Sequence, residues 1–188
     1  MGKRQLLTLL FVLGITLPIQ LQAQVKDKGF FVEGSFAYAD EHNQRGYENY
    51  FIIKPTIGYQ FNSKWSLGFK MDIQCGVEVK SQQYLGYTPF VRYNFCHIGN
   101  VYLFGEGKFS AFKRRENLVG IGVANGYKEA GISLGAYLPL NNHLEVVWQY
   151  LHIGYSEQYQ KSGAFIHSGD WGIDANLKRL SIGINYTF

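Results

Sequence analysis

The last eleven residues of the chain, Lys178 to Phe188, read KRLSIGINYTF. Taken alternately, they separate into an apolar and a largely polar face. The apolar face carries Leu180, Ile182, Ile184, Tyr186 and Phe188, and the other carries Arg179, Ser181, Gly183, Asn185 and Thr187. Because successive side chains of a strand point to opposite sides, the pattern predicts a β-strand between an apolar and a polar medium.

The same alternation recurs upstream, so that eight strands are predicted. The clearest segment begins at Trp65, where eight apolar side chains in succession occupy every second position. A soluble sheet would need a partner sheet to cover such a face. The predicted strands are Gly29–Ala39, Tyr50–Phe61, Trp65–Val79, Leu85–Phe95, Val101–Phe112, Glu129–Leu140, Leu144–Tyr155 and a closing strand that begins near Ala175.

Two features interrupt the regular pattern. In the seventh segment, apolar residues occupy both faces, because Val147, Leu151 and Ile153 lie opposite the main apolar set. Pro55 and Pro89 fall inside predicted strands, and a proline has no N–H for the strand ladder. We expect an irregular ladder or a bulge near each proline.

The connections between the predicted strands alternate in length. Residues 62–64, 96–100 and 141–143 are tight, with Asn62-Ser63 and Asn141-Asn142 supplying ordinary turn residues. The other connections are free to be longer loops: 40–49, 80–84, 113–128 and 156–174. Short turns on one side and long loops on the other are typical of transmembrane barrels. The predicted fold class is therefore all-β, an eight-stranded antiparallel up-and-down transmembrane β-barrel.

The amino terminus has the organisation of a secretory signal peptide. Lys3 and Arg4 precede an apolar run from Leu6 to Ile19, and a small-residue cleavage site follows at Ala23. Residues 1–23 are thus predicted to be removed, leaving a single barrel domain at 24–188. A transmembrane anchor is the alternative, but Pro18 and nearby Gln20 stop the run short of the ~20 apolar residues that a spanning helix needs.

Composition excludes two classes of protein. The 18 Lys and Arg residues nearly balance the 14 Asp and Glu, and two of the basic residues leave with the signal peptide. Without clustered positive charge there is no case for nucleic-acid binding. The 14 Tyr, 14 Phe and 22 Gly, with no long apolar run after the signal, fit a barrel and exclude a helical membrane protein.

The two cysteines are predicted to be free thiols. Cys75 falls near one end of the third predicted strand, and Cys96 follows the fourth at the opposite end. A disulfide needs Cα atoms within about 7 Å of each other.

Several stretches resemble the small outer-membrane β-barrel (porin-like) family. They are KPTIGYQF at 54–61 with its NSK turn and WSLG at 65–68, TPFVRY at 88–93, and the closing IGINYTF at 182–188. The resemblance implies a bacterial outer-membrane protein with both termini periplasmic. It also implies an assembly signal in the last strand, at Ile182, Ile184, Tyr186 and Phe188. The implied partners are membrane lipid and lipopolysaccharide, periplasmic chaperones and the barrel-assembly machinery. We expect a monomer.

The resemblance implies no common reaction, and no catalytic, cofactor-binding or metal-binding residues are assigned. The sequence pattern of outer-membrane lipid A deacylases resembles His-x-Ser on one face of a strand. Here His152-Ile153-Gly154 has glycine in place of the nucleophilic serine. His167, Ser168 and Asp170 lie together in a predicted loop, without the fixed geometry that nucleophilic catalysis needs. No pair of histidines has metal-ligand spacing.

The sequence therefore predicts a structural or surface-interaction protein, not an enzyme. Eight strands enclose a space just wide enough for side chains to fill, which argues against a general diffusion porin. Two alternatives remain open. One is a small lipid A-modifying enzyme, and the other is an adhesin-like binding module that uses the loops 113–128 and 156–174.

A buried ion network is predicted inside the barrel. If Phe61 faces Trp65, Lys54 lies opposite Asp72; if Val79 faces Leu85, Asp72 also faces Arg92. If Phe95 faces Val101, Glu106 lies diagonal to Arg92. The row Lys54, Asp72, Arg92 and Glu106 would then alternate in sign across four strands, as buried charges require.

Overall fold

A computed structural model of the chain describes residues 28–43, 46–76, 83–115, 126–157, 170–175 and 179–188. The predicted signal peptide lies outside these residues and stays a prediction. Within the described ranges there are nine strands: β1 (Gly29–Asn43), β2 (Gly46–Gln60), β3 (Trp65–Gly76), β4 (Gln83–Ile98), β5 (Val101–Arg115), β6 (Tyr127–Pro139), β7 (Leu144–Ser156), β8 (Asp170–Asp174) and β9 (Ser181–Thr187). No helix in this part of the chain is long and apolar enough to cross a bilayer.

The strands close into a barrel with eight antiparallel strand positions, here called staves. Each strand from β1 to β7 pairs with its neighbours along the chain. β8 pairs with one half of β7 and β9 with the other half, so that these two short strands together form the eighth stave. β9 also pairs with β1, which closes the barrel. The predicted eight-stranded antiparallel fold is confirmed.

The barrel has two distinct ends. The turn end carries the connections 61–64, 99–100 and 140–143 together with the start of β1 and the end of β9. There the backbone N–H of Phe188 donates to the carbonyl of Phe30 at 2.9 Å. At the opposite end, the loop end, the described strands stop at Asn43 and Gly46, at Gly76 and Gln83, at Arg115 and Tyr127, and at Ser156 and Asp170. Both termini of the barrel therefore lie at the turn end, as an even number of staves requires.

Apolar side chains cover the outside of the barrel, and polar side chains fill the inside. On β1, Phe30 is 69% exposed whereas Glu33 is 5% exposed. β9 shows the same division, with Ile184 exposed and Asn185 buried. This arrangement inverts that of a soluble protein and follows directly from the period-2 pattern of the sequence.

Strand lengths at the loop end differ from the prediction. β1 and β2 stay paired as far as Asn43 and Gly46, so a loop over 40–49 is wrong. Asp170–Asp174 is strand instead of loop, and the closing stave is broken, with β9 beginning at Ser181 instead of Ala175. Backbone pairing needs no particular side chains, so strands continue where apolar alternation has stopped. The alternation marks only the apolar belt, which is the part of each strand whose outward side chains are apolar, and not the full length of the strand.

A bulge in β7 explains the mixed apolar pattern of the seventh segment. Leu151 has a φ of 67° and stands unpaired opposite β6, where the register shifts between Ser133 and Leu134. Val147 faces inward before the bulge, and His152 faces inward after it. The extra residue exchanges the two faces of the strand, which returns Ile153 to the outer surface.

The two prolines interrupt hydrogen-bond ladders without changing the register. The ladder between β2 and β3 omits Lys54 and Pro55, and the ladder between β4 and β5 omits Thr88 and Pro89. The register is the same on both sides of each gap. The expected irregularity is therefore confirmed, but no bulge forms at either proline. A bulge in β4 lies instead at Phe95, nearer the turn end.

Inward-facing phenylalanines lie over glycines on the neighbouring strand. Four directly opposed pairs share this arrangement: Phe31 with Gly58, Phe90 with Gly68, Phe112 with Gly86 and Phe104 with Gly135. A Cβ at each of these glycines would collide with the facing ring. The glycines thus provide the space that large rings need inside a narrow barrel.

Both cysteines are free and exposed on the outer surface, which confirms the predicted absence of a disulfide. Cys75 pairs with Phe51 towards the loop end, and Cys96 pairs with Leu103 towards the turn end.

Candidate functional site

The carboxylate of Glu106 on β5 is fully buried and contacts side chains from three other strands. Lys70 Nζ lies 2.8 Å from Glu106 Oε1, and Arg92 Nη2 lies 2.9 Å from Glu106 Oε2. Gln149 Nε2 also donates to Glu106 Oε1 at 2.8 Å. The inward positions of β3, β4, β5 and β7 thus meet at one carboxylate. Each of its oxygens has a charged donor, which is the condition under which a buried carboxylate is tolerated.

Arg92 extends this cluster to a second carboxylate. Its Nη2 also lies 3.1 Å from Glu33 Oε2 on β1. The guanidinium carbon is 4.3 Å from the centroid of the Phe104 ring, a cation–π arrangement. The planar fork of arginine suits this position because it donates to two carboxylates while its face rests on an aromatic ring.

A second ion cluster lies towards the loop end, where the eighth stave is broken. Arg179 donates from Nη1 and Nη2 to both carboxylate oxygens of Glu129, at 2.9 and 2.8 Å. Its Nε donates to Asp174 Oδ2 at 2.7 Å. Ser156 Oγ donates to Glu129 Oε1 at 3.0 Å. Arg179, which lies between β8 and β9, thus joins β6 to β8.

The structure places the four residues of the predicted ion row in a different arrangement from the predicted one. The register of β2 and β3 is the predicted one, and it sets Lys54 across from Asp72. Asp72 does not face Arg92, however, because Asp72 pairs with Gly86 and Arg92 pairs with Ser66. Asp72 instead accepts a hydrogen bond from Thr88 at 2.9 Å.

The error comes from the connection between β3 and β4. The prediction extended the third strand to Val79, but the pairing of Ile73 with Leu85 places the hairpin centre nearer β3. Val77 and Val79 themselves lie outside the described residues. A connection of several residues does not fix the register by its length alone, so alternation could not locate its centre.

The pairing of β4 with β5 also differs from the prediction. Arg92 lies directly opposite Glu106, not diagonal to it, because the turn is shorter than 96–100 and a bulge at Phe95 follows. The resulting contact is closer than the predicted one. Sequence reasoning did not identify Glu33, Lys70 and Gln149 as partners, although their inward positions were an available signal. Each of them lies on a strand that is not adjacent to the strand of its partner, so hairpin register could not bring them together.

A cavity of about 80 Å³ lies in the half of the barrel towards the loop end. Its basic lining residues are Lys54, Lys70, Lys108 and Arg179, and its acidic ones are Asp72 and Glu129. Hydroxyl and amide groups of Thr88, Ser110, Ser133 and Gln149 also line the cavity. Towards the turn end the interior is filled by side chains, with Phe104, Tyr137 and Val147 forming a buried cluster.

The register also brings together three residue types used by hydrolases. His152 on β7 pairs with Ser133 on β6 and with Asp174 on β8, and all three side chains face inward and are buried. The Ser133 hydroxyl does not hydrogen-bond to either ring nitrogen of His152. The nucleophile–base contact of a hydrolase is therefore absent from this arrangement. Among the described residues, no group of three or more His, Cys, Asp or Glu is arranged to hold a metal ion.

The residues of the proposed assembly signal lie at the seam of the barrel. Ile182, Ile184 and Tyr186 point outward from β9, and Phe188 is exposed at the turn end. The rings of Tyr186 and Phe188 lie 5.1 Å apart and edge to face. The last strand therefore presents a continuous apolar face on the outside.

Comparison with known proteins identifies a fold but not a family. No family model matches the chain, and no curated protein matches its sequence. Among solved structures, the crystal structure of Neisserial surface protein A (NspA) matches with a TM-score of 0.59 and 14% sequence identity. The match covers 87% of this chain and 99% of the NspA chain. At this identity the likeness shows a shared barrel fold.

Proposed function

We propose that the chain is an integral outer-membrane β-barrel protein with a structural or surface-interaction role and no catalytic activity. The observation that carries the proposal is the inverted distribution of side chains. Large apolar residues such as Phe30, Ile57 and Phe109 are exposed around the outside, while charged residues such as Glu106 are buried inside. Lipid is the solvent that favours this inversion, and a closed barrel leaves no strand edge unpaired in it.

The filled interior supports a role other than general diffusion. Arg92, Glu106, Phe104 and Tyr137 are buried on the side of the cavity towards the turn end. Eight staves leave an interior that side chains fill, which does not favour an open aqueous channel. The structural likeness to NspA, which is named as a surface protein, supports a location at the cell surface.

The proposed orientation places the turn end in the periplasm and the loop end outside the cell. The short turns and both barrel termini lie at one end, as in transmembrane barrels with short periplasmic turns. Export would follow from a signal peptide at 1–23 and insertion from the closing strand. The partners would be periplasmic chaperones, the barrel-assembly machinery, and outer-membrane lipid with lipopolysaccharide.

Epitope tags at the two ends test the location and the orientation together. A tag within residues 116–125 should bind antibody on intact cells, whereas a tag in the turn 61–64 should bind only after the outer membrane is opened. The folded protein should also change its gel mobility on boiling. Labelling of the turn tag on intact cells would reverse the orientation, and recovery in the soluble fraction would refute the membrane location.

The absence of catalysis needs a separate measurement. Mass spectrometry of lipid A from strains with and without the gene should give the same species. A change in acyl chain number that returns on complementation would replace the structural proposal with the lipid-modifying one. Whole-cell binding to host matrix, measured with and without residues 116–125, tests the surface-interaction role.

A further inference from the structure

The cavity in the barrel is lined by more positive than negative charge. Four basic side chains border it against two carboxylates. Arg179 is satisfied by Glu129 and Asp174, and Lys70 is satisfied by Glu106 and Gln149. The remaining two basic residues, Lys54 on β2 and Lys108 on β5, have no comparable contacts among the residues that the structure describes.

Lys108 makes no hydrogen bond or ion pair with any residue that the structure describes. It faces inward between Glu106 and Ser110, yet the Glu106 carboxylate is occupied by Lys70 and Arg92. Lys108 is only partly buried, although neighbours on the same face are fully buried, because its side chain borders the cavity. Its ammonium group is therefore directed to an internal space and not to the outer surface.

Lys54 on β2 also borders the cavity. Its register sets it across from Asp72, but no ion pair joins the two in the described part of the chain. The Asp72 carboxylate accepts a hydrogen bond from Thr88, whose hydroxyl also contacts Ser110 at 2.9 Å. Two ammonium groups inside a barrel repel each other and lose hydration, so both are stabilised by an opposite charge placed between them.

Because these two lysines have no ion pair among the described residues and border the same cavity, we propose that the cavity binds a small tetrahedral oxyanion of the phosphate type, held by Lys54 and Lys108. Each lysine can donate to an anion oxygen. The hydroxyls of Thr88, Ser110 and Ser133 and the amide of Gln149 lie in the same lining and supply neutral donors.

The free space inside the cavity, about 80 Å³, is several times the ~10–15 Å³ that one water molecule needs. A four-oxygen anion therefore fits. The phosphate groups of lipid headgroups have the same chemistry as free inorganic phosphate, so the experiment must distinguish these two sources.

The test is a titration of the refolded full-length barrel in a phosphate-free maltoside detergent. Inorganic phosphate should raise the thermal unfolding midpoint in a saturable manner and give a bound signal in phosphorus NMR. Chloride at the same ionic strength should do neither. Lys108→Met should weaken phosphate binding at least tenfold, while Lys64→Met, in the exposed turn, should leave it unchanged.

The proposal would be overturned if phosphate had no saturable effect on the unsubstituted barrel, if chloride had an equal effect, or if Lys108→Met retained full binding. Saturable binding of glucosamine 1-phosphate with the affinity of phosphate would also overturn it, in favour of an open site for lipid headgroups. If Lys108→Met does not reach the folded, heat-modifiable form, Lys54→Met should show the same tenfold loss, and unchanged binding there would refute the site.

Discussion

Replacing Glu106 with glutamine should destabilise the barrel more than any substitution of an exposed carboxylate. Glutamine has nearly the same volume as glutamate, so the change removes a charge without opening a cavity. Two buried cations, Lys70 and Arg92, then lose the carboxylate that lies 2.8 and 2.9 Å away. Breaking a buried ion pair by removing one partner costs about 3–5 kcal/mol, because the remaining charge is left uncompensated.

The lower end of that range is expected here. Arg92 keeps its contact with Glu33 at 3.1 Å, and Lys70 keeps its hydrogen bond to Gln149 at 3.2 Å. The new amide also leaves one oxygen as an acceptor. A loss of about 3 kcal/mol in the free energy of unfolding remains, which is more than a hundredfold in the unfolding equilibrium.

Equilibrium urea unfolding of the refolded barrel in lipid vesicles measures this loss, with tryptophan fluorescence and gel mobility as two readouts. Glu157→Gln is the matched control, because Glu157 is exposed and a surface substitution of this kind costs within about 0.5 kcal/mol. Adding Lys70→Met to Glu106→Gln should recover part of the loss, since it removes one uncompensated cation. A loss below about 1 kcal/mol, or strictly additive losses in the double variant, would refute the reasoning.

Three further predictions address other parts of the barrel. Asp72→Ala should lower unfolding stability by about 1–3 kcal/mol, because the buried Thr88 hydroxyl loses the carboxylate that accepts its hydrogen bond. Lys54→Met in the same chain should recover part of the loss, because it removes the cation that lies across from the lost charge. Deleting Phe188 should lower the amount of protein in the outer membrane while signal cleavage continues, as immunoblots of cell fractions would show. Gly135→Ala should cost about 1–3 kcal/mol of unfolding stability, because its Cβ would meet the Phe104 ring.

Each of these predictions has a control or an opposing result. Ser66→Ala should cost much less than Asp72→Ala, and equal losses would remove the electrostatic explanation. Unchanged membrane levels after deletion of Phe188 would count against its role in assembly. Gly34→Ala is the control for Gly135→Ala, because no atom lies within 4 Å of a Cβ built there. Equal costs at the two glycines would show that ring contact is not the cause.

The faces of the strands were predictable because the signal for them is local. Alternation at every second residue assigns inside and outside within each segment, and Phe30 and Glu33 lie on the sides that this pattern predicts. The register of β2 with β3 was also predictable, since a three-residue turn at 62–64 leaves few alternatives and Phe61 donates to the carbonyl of Trp65 at 2.9 Å. The free thiols followed from the same placement of strands.

Other features depended on interactions between distant parts of the chain. The bulge at Leu151 exchanges the two faces of β7, but nothing in the local pattern states where an extra residue is inserted. The register of β4 with β3 could not be predicted, because the connection between these two strands is longer than a tight turn. Strand pairing beyond the apolar belt, as at Asn43 and Gly46, is stabilised by backbone hydrogen bonds and leaves no hydrophobic pattern to read.

The sequence by itself thus determined that the chain forms a barrel with charges inside, because burial of one face and exposure of the other are written residue by residue. Only the tertiary structure decided which charges meet. Arg92 reaches Glu33 on β1, and Lys70 reaches Gln149 on β7, across an interior that strands far apart in sequence share. Those contacts arise from closure and stagger of the staves, which are properties of the whole barrel and of no single strand.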